Sequence, residues 1–195
     1  METSPKEEYA VVLDFLPNGY PFDSRPSHLK TPIVQAIGKG KFVLLELVPK
    51  KDIMLQPNQE VYIGEGKRDH IHHINGRIPE SKLSRTAKAE LEFVIKKIIS
   101  ENQQRFIEFF NKAPPLSTRM HSLELLPGLG KKRMWEVLEE RQVEPFKDFN
   151  DLRNRLKLVP DPEVLVTRRV MQELVGEEKH MLFVARPEYV QRQFA

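Results

Sequence analysis

The hydrophobic period of this chain changes once, near Ser84, and that change limits the folds open to it. Before Ser84, apolar residues come in short runs rich in valine, isoleucine and leucine, each closed by glycine, proline or asparagine. After Ser84 they recur every three or four residues, the period of an amphipathic helix. A chain of strands followed by helices belongs to the α+β class.

The strand-like runs are Tyr9–Phe15, Ile33–Ile37, Phe42–Val48, Val61–Ile63 and His70–Ile74. Their breakers are Pro17-Asn18-Gly19, Gly38-Lys39-Gly40, Pro49-Lys50-Lys51, Gly64-Glu65-Gly66 and Asn75-Gly76, the last a turn signal. Five short strands within residues 1–80 predict a small five-stranded β-barrel, OB-like first and SH3-like as the alternative. Lys39, Lys41, Lys50, Lys51, Lys67 and Arg68 fall at its turns, where a groove-binding barrel carries its charges. Turns are polar in any case, so these six are candidate contacts only. His70, His72 and His73 invite a metal, and His70 and His72 share a strand face. No cysteine or acidic pair completes such a site, so none is assigned. Gly64-Glu65-Gly66-Lys67 lacks the first glycine and the Ser or Thr of a phosphate loop.

Residues 84–113 read as a connecting helix or helices. Leu91, Val94, Ile95, Ile98, Ile99, Phe106, Phe109 and Phe110 form the apolar stripe, and Ser84 is placed to cap its start. The polar stretch Ser100–Gln104 is where two helices would separate, and Pro114-Pro115 ends the segment.

The most specific stretch runs from Leu123 to Arg141. Leu123 and Leu126 are spaced as on a short helix, Pro127-Gly128 stops it, and Gly130 permits a second bend. Lys131 opens a helix with Met134, Val137, Leu138 and Arg141 on one face. A helix start presents amides without intrahelical partners and a favourable dipole for an anion. Glycines at 128 and 130 clear the approach, Leu129 points inward, and Lys131, Lys132 and Arg133 add positive charge. This pattern is similar to the helix-hairpin-helix motif of nucleic-acid-binding proteins. The resemblance implies a grip on one backbone phosphate, in some members through a bound monovalent cation, and so recognition of backbone rather than sequence. Met134 stands where the motif often has alanine.

A second copy follows. Phe146, Phe149 and Leu152 suggest a short helix led by Asp148 or Asn150, Leu156–Pro162 a second hairpin, and Glu163–Val175 a helix ended by Gly176. It lacks both glycines. Asp161, between Pro160 and Pro162, is placed to cap rather than to bind. Residues 116–178 are therefore expected to form an all-helical paired helix-hairpin-helix domain, and 179–195 a C-terminal strand, Met181–Val184, with a tail.

Composition bounds the rest. Among 195 residues, 39% are apolar and 30% charged, with a net charge of +3 and a pI near 9.0. That is mildly basic and leaves the partner to local patches. No cysteine is present, which excludes disulfides, zinc–cysteine sites and thiol chemistry. High Lys, Arg and Glu without cysteine is compatible with a thermophile. The polar N-terminus is no signal peptide, and no stretch reaches the ~18 apolar residues of a membrane span. A cytoplasmic location without membrane contact is expected.

A barrel followed by such a hairpin unit resembles an uncharacterised archaeal family assigned to nucleic-acid binding. The resemblance lies in the layout and in the Leu-Pro-Gly-Leu-Gly-Lys-Lys segment, and it implies no catalytic residues. Scattered carboxylates such as Asp14, Asp23 and Asp69 form no two-metal set. The expected function is non-catalytic, largely sequence-independent binding of RNA or DNA, with RNA slightly ahead, or of a nucleoprotein assembly. A protein-interaction adaptor and a nuclease are the alternatives. No cofactor is expected beyond the monovalent cation that the motif implies.

Overall fold

The computed structural model describes residues 7–26, 30–176 and 178–186. The chain divides into two compact units, one of residues 1–94 and 173–195, the other of residues 95–172. The tail expected after Arg186 lies outside the described residues.

The first unit holds β1 (Tyr9–Leu16), β2 (Ile33–Gly38), β3 (Leu44–Pro49), β4 (Glu60–Tyr62) and β5 (Ile71–Arg77). They form one antiparallel sheet in the order β4-β1-β2-β3-β5. The sheet is curled but open, a half-barrel rather than the closed barrel expected. The strand directions explain this. β4 and β5 run the same way, so closure would need a parallel pair. Parallel neighbours are joined by a crossover of about a dozen residues or more, and the connection here spans only residues 63–70.

Alternation along the strands separates the two faces of the sheet. Ala10, Val12, Val34, Ala36, Leu45, Leu47, Val61 and Ile71 belong to one apolar core, which Ile63 and Leu55 join from the loops. Their neighbours Gln35 and Glu46 belong to the opposite face, where both are buried. Burying an amide or carboxylate is costly unless it is hydrogen-bonded, and both are satisfied. Gln35 donates Nε2 to the carbonyl of Lys82 (3.0 Å) and accepts from the amide of Ser84 (2.8 Å). The Ser84 hydroxyl donates to Asp14 (2.6 Å) and accepts from the Ala87 amide (3.0 Å), capping α1 (Arg85–Glu101).

Glu46 accepts from the Tyr20 hydroxyl (2.5 Å), the Asn75 side-chain amide (2.8 Å) and the Lys82 ammonium (2.9 Å). Asn75 reaches it because the β3–β5 register slips there, with Glu46 opposite Gly76 and Leu47 opposite Ile74. The Asn75-Gly76 pair is thus a bulge inside β5, not the turn expected, and Gly76 takes the required φ of 150°.

The expected strand Met181–Val184 is a series of bends. Its amides are committed elsewhere. Glu173, buried near the end of α5 (Pro162–Val175), accepts from the backbone amides of Leu182 (2.7 Å), Phe183 (2.9 Å) and Val184 (2.9 Å). Arg77 of β5 donates to the carbonyls of Ala185 (3.2 Å) and Arg186 (2.9 Å).

The second unit begins within α1 and continues through α2 (Gln103–Lys112), α3 (Lys131–Val143) and α4 (Phe149–Arg155) into α5. The break between α1 and α2 falls at Asn102, within the polar stretch that suggested it, with φ −122° and ψ 35°. A small hairpin of β6 (Pro115–Ser117) and β7 (Met120–His121), unforeseen in the sequence, precedes the central segment. Arg141 of α3 donates to the carbonyls of Phe110 (3.0 Å) and Ala113 (3.1 Å), which end α2. It therefore serves the helix C-terminus rather than an apolar face.

Burial opposes the charge on Glu46, but hydrogen bonds from Tyr20, Lys82 and Asn75 outweigh it and hold its carboxyl below the usual 4.5. A depressed carboxyl stabilises the fold above its unfolded pKa and loses that contribution as pH falls through the folded value. Glu46→Gln should therefore lower stability at pH 7 by about 1–3 kcal/mol. It should also flatten the acid limb of a urea-denaturation series taken from pH 7 down to 3. An unchanged acid limb would show that the network contributes no pH dependence.

Candidate functional site

In the second unit, Leu126 to Gly130 form a turn between a 3-10 segment (Ser122–Leu125) and α3. The short helix expected through Leu123 and Leu126 is thus a single 3-10 turn. Local capping accounts for its start: His121 accepts the Leu123 amide (3.1 Å) while Glu124 accepts the His121 amide (2.9 Å). Burial lowers the His121 pKa, with Arg141 adding to the effect, which keeps the ring neutral and able to accept.

Leu123, Leu126 and Leu129 are buried and anchor the turn, as Met134 and Val137 anchor α3. The Leu129 amide closes on the Leu126 carbonyl at 3.0 Å. Gly128 is exposed at φ 98°, a conformation that side chains rarely adopt. Gly130 differs from expectation. Its φ of −69° and ψ of 166° are open to any residue, so it makes no second glycine-dependent bend. It is the N-cap of α3 and has no side chain to offer the first amides of the helix. A Cβ added there would meet nothing within 4 Å. The first turn of α3 therefore faces open space with its amides uncapped.

The three basic residues are not equivalent. Lys131 and Lys132 are exposed and have no ion pair among the described residues. Arg133 is half-buried and bound to Glu136 (2.6 Å). The local positive charge thus comes from the two lysines.

The second turn, Leu156–Asp161, makes the same two closing bonds as the first with opposite chemistry, without a positive φ and with one residue more before its cap. Val159 donates to the Leu156 carbonyl at 3.0 Å, matching Leu129 and Leu126. The amide of Leu165 bonds to the Asp161 carbonyl as Met134 bonds to that of Gly130, both at 3.0 Å. Here the cap carries a carboxylate, which accepts from the Glu163 amide (2.9 Å) and from Arg153 (2.8 and 3.0 Å). Burial opposes the charge on Asp161, but Arg153 and the Glu163 amide outweigh it and hold the pKa below the carboxylate range. The two turns are neighbours: a Cβ on Gly128 would lie 3.7 Å from Leu165 and 3.9 Å from Pro160.

The six basic residues of the sheet unit are dispersed. Lys39 and Lys41 lie in the β2–β3 turn, whereas Lys50 and Lys51 follow β3 at its other end. Lys39 is paired with Glu60, and Lys50 donates to the Arg68 carbonyl. Arg68 donates to the Gly64 carbonyl (2.8 Å). Only Lys51 and Lys67 are both exposed and without a partner among the described residues. The amide of Lys41, with that of Gly40, holds the Glu7 carboxylate (2.6 and 2.7 Å). No pattern in the sequence pointed to Glu7, since the contact spans more than thirty residues.

His72 and His73 are in contact through their Nδ1 atoms (2.7 Å), and His73 reaches Asn75 (2.9 Å). No group of three metal-ligating side chains is found among the described residues. A cavity of about 850 Å³ in the first unit is lined by Leu44, Ile78, Leu174 and Met181, with Arg77 and Lys179, and by none of the nominated residues. No helix among the described residues is long and apolar enough to cross a membrane.

The turn chemistry separates two glycines that the sequence treats alike. Gly128→Ala should lower stability by about 1–3 kcal/mol, because φ is positive there. Gly130→Ala should stay within about 0.5 kcal/mol of the parent. Asp161→Ala should cost about 0.5–2 kcal/mol through the lost cap. Thermal unfolding followed by circular dichroism measures all three. Equal losses at the two glycines would contradict this assignment of the turn.

Comparison with known proteins agrees with the layout. The uncharacterized protein MJ0038 of Methanocaldococcus jannaschii is 41% identical over 180 residues, which cover 91% of this chain and 80% of that one. The crystal structure of Af1531 from Archaeoglobus fulgidus, of the family DUF655, matches with a TM-score of 0.86 at 42% identity. It covers 92% of this chain and 100% of that one. Residues 6–185 match the family described as "Protein of unknown function (DUF655)", and the chain belongs to that family.

Proposed function

We propose that the chain binds nucleic acid without catalysis and largely without sequence preference, RNA slightly before DNA, through phosphate contacts at the Gly128–Arg133 turn. The turn is read as a helix-hairpin-helix grip and the curled sheet as an OB-like second surface. The observation that carries this reading is the start of α3. Its amides lack a capping side chain, a Cβ on Gly130 would meet open space, and the two lysines that follow have no ion pair among the described residues. A phosphate there would satisfy orphan amides and meet a favourable dipole and two cations at once. Arg133, already neutralised by Glu136, contributes less.

The neighbouring turn does not share the role. Asp161 occupies the equivalent amides with its own carboxylate and would repel a phosphate. A cation at the first turn is not required by this reading. The carbonyls of Leu126 and Gly130 already accept the amides of Leu129 and Met134, and the lysines supply the charge. The second reading is a protein-interaction adaptor, favoured by the exposed side chains of Trp135 and Leu158.

Salt dependence separates the two. Affinity for a mixed-sequence oligonucleotide should fall linearly on a log–log salt plot. Lys131→Ala with Lys132→Ala should flatten that slope by about 0.7–0.9 for each contact removed. Arg133→Ala should flatten it less. A folded double variant with unchanged affinity and slope would sink the phosphate reading and leave the adaptor.

A further inference from the structure

We propose that the turn between β2 and β3 is a second phosphate cradle, occupied in the ligand-free chain by the carboxylate of Glu7. For nucleic acid as the ligand, this rests on the function proposed above. The cradle itself stands on its own geometry.

Glu7 presents one oxygen to each of two successive amides, Oε2 to Gly40 (2.7 Å) and Oε1 to Lys41 (2.6 Å). These are short, charge-assisted bonds. Successive amides turned toward one point form an anion-binding concavity, and the two carboxylate oxygens stand where two oxygens of a phosphate would lie. The glycines of the turn fit this use. Neither Gly38 nor Gly40 has a positive φ, so backbone conformation does not demand glycine at either position. What excludes a side chain is the anion. A Cβ on Gly38 would lie 2.3 Å from the Glu7 carboxyl carbon, and one on Gly40 would lie 2.7 Å from Oε2.

The cradle does not depend on its occupant for its shape. Lys39 donates its amide to Tyr9 (3.0 Å) and Gly38 to Val43 (2.9 Å), while the Lys41 carbonyl accepts from Ala185 (3.1 Å). Buried Phe42, at φ 52°, completes the turn. With Glu7 withdrawn, two oriented amides remain between Lys39 and Lys41. Lys39 is meanwhile paired with Glu60, which adds a second internal acid near the site.

Glu7 is the exchangeable kind of occupant. It is half-buried, and its carboxylate has no cation partner among the described residues. Joined to β1 through Glu8, it competes at an effective concentration in the millimolar range or above. A lone phosphate would displace it only at high concentration. A polyanion carries many phosphates on one chain, so it presents them to the turn at a far higher local concentration than a lone phosphate does. Glu7 thereby makes the cradle selective for extended polyphosphate backbones over single anions.

The test follows the Gly40 and Lys41 amide signals of the ¹⁵N-labelled full chain during titration with inorganic phosphate at constant ionic strength. In Glu7→Gln both signals should move with a midpoint about tenfold or more below that of the parent. Gly40→Ala should abolish the response. Oligonucleotide affinity should rise several-fold in Glu7→Gln, by the same factor with or without the Lys131→Ala and Lys132→Ala changes. If those lysine changes have no effect while the Glu7 effect persists, the hairpin reading fails and the cradle stands. Folded Glu7→Gln whose Gly40 and Lys41 signals ignore phosphate would make Glu7 a structural tether and overturn the proposal. A phosphate response without any change in oligonucleotide affinity overturns the nucleic-acid assignment. Should Glu7→Gln fail to fold, Glu7→Ala takes its place in the same titration, and Gly40 and Lys41 signals unmoved by phosphate there overturn the proposal.

Discussion

The side-chain amide of Gln35 is where the sheet of the first unit is tied to the segment that opens α1. Gln35 is fully buried on the sheet face opposite the apolar core. Its two ends hold the carbonyl of Lys82 and the amide of Ser84. An apolar residue at 35 would bury as well, but it would not fix where the following chain lies. Because the amide does fix it, the Ser84 hydroxyl can both cap α1 and reach Asp14 of β1. Lys82 is in turn directed to Glu46 on β3. A fully satisfied buried network of this type specifies one arrangement at a point where apolar packing alone would allow several.

The second unit shows how two turns with the same closing bonds serve two purposes. Its two turns share a buried leucine and the same short-range amide bond, and each opens a helix. They differ in what the cap residue carries. Asp161 fills its helix start with a carboxylate that Arg153 holds in place. Gly130 fills nothing. The capacity to take an external anion is thus created by leaving a cap out, and the lysines following Gly130 supply the charge that the neighbouring turn neutralises within itself.

Much of this was legible in the sequence wherever the signal was local. The change of period at Ser84, its cap, the break near Asn102, the Asp148 and Asp161 caps and the stop at Gly176 are set by residues within a few positions of each other. What stayed hidden depends on distant partners. Asn75-Gly76 has the composition of a turn, but Glu46, 29 residues away, draws Asn75 into a bulge. Met181–Val184 has the composition of a strand, but Glu173 takes its amides. Gly128 and Gly130 look equivalent, yet only one has a positive φ, because sequence spacing does not reveal which residue becomes the cap. The six basic residues of the sheet unit scatter because turn positions alone say nothing about which turns share an end of the sheet.

Glu173, Asp161 and Glu7 each bind backbone amides, and their surroundings rank the three by how readily an outside anion could replace them. Glu173 is buried and holds three successive amides, so removing it would strand donors away from water. Asp161 is fixed by a bidentate arginine as well as by an amide, and an incoming anion would have to break both. Glu7 has two amides, partial exposure and no cation partner among the described residues. The same interaction thus serves as a latch, a cap and an exchangeable occupant. What distinguishes the last is not the strength of its hydrogen bonds but what remains when it leaves: two amides still oriented by the turn, reachable by water, and flanked by lysines. Of these three carboxylates, only Glu7 has a site that meets all three conditions.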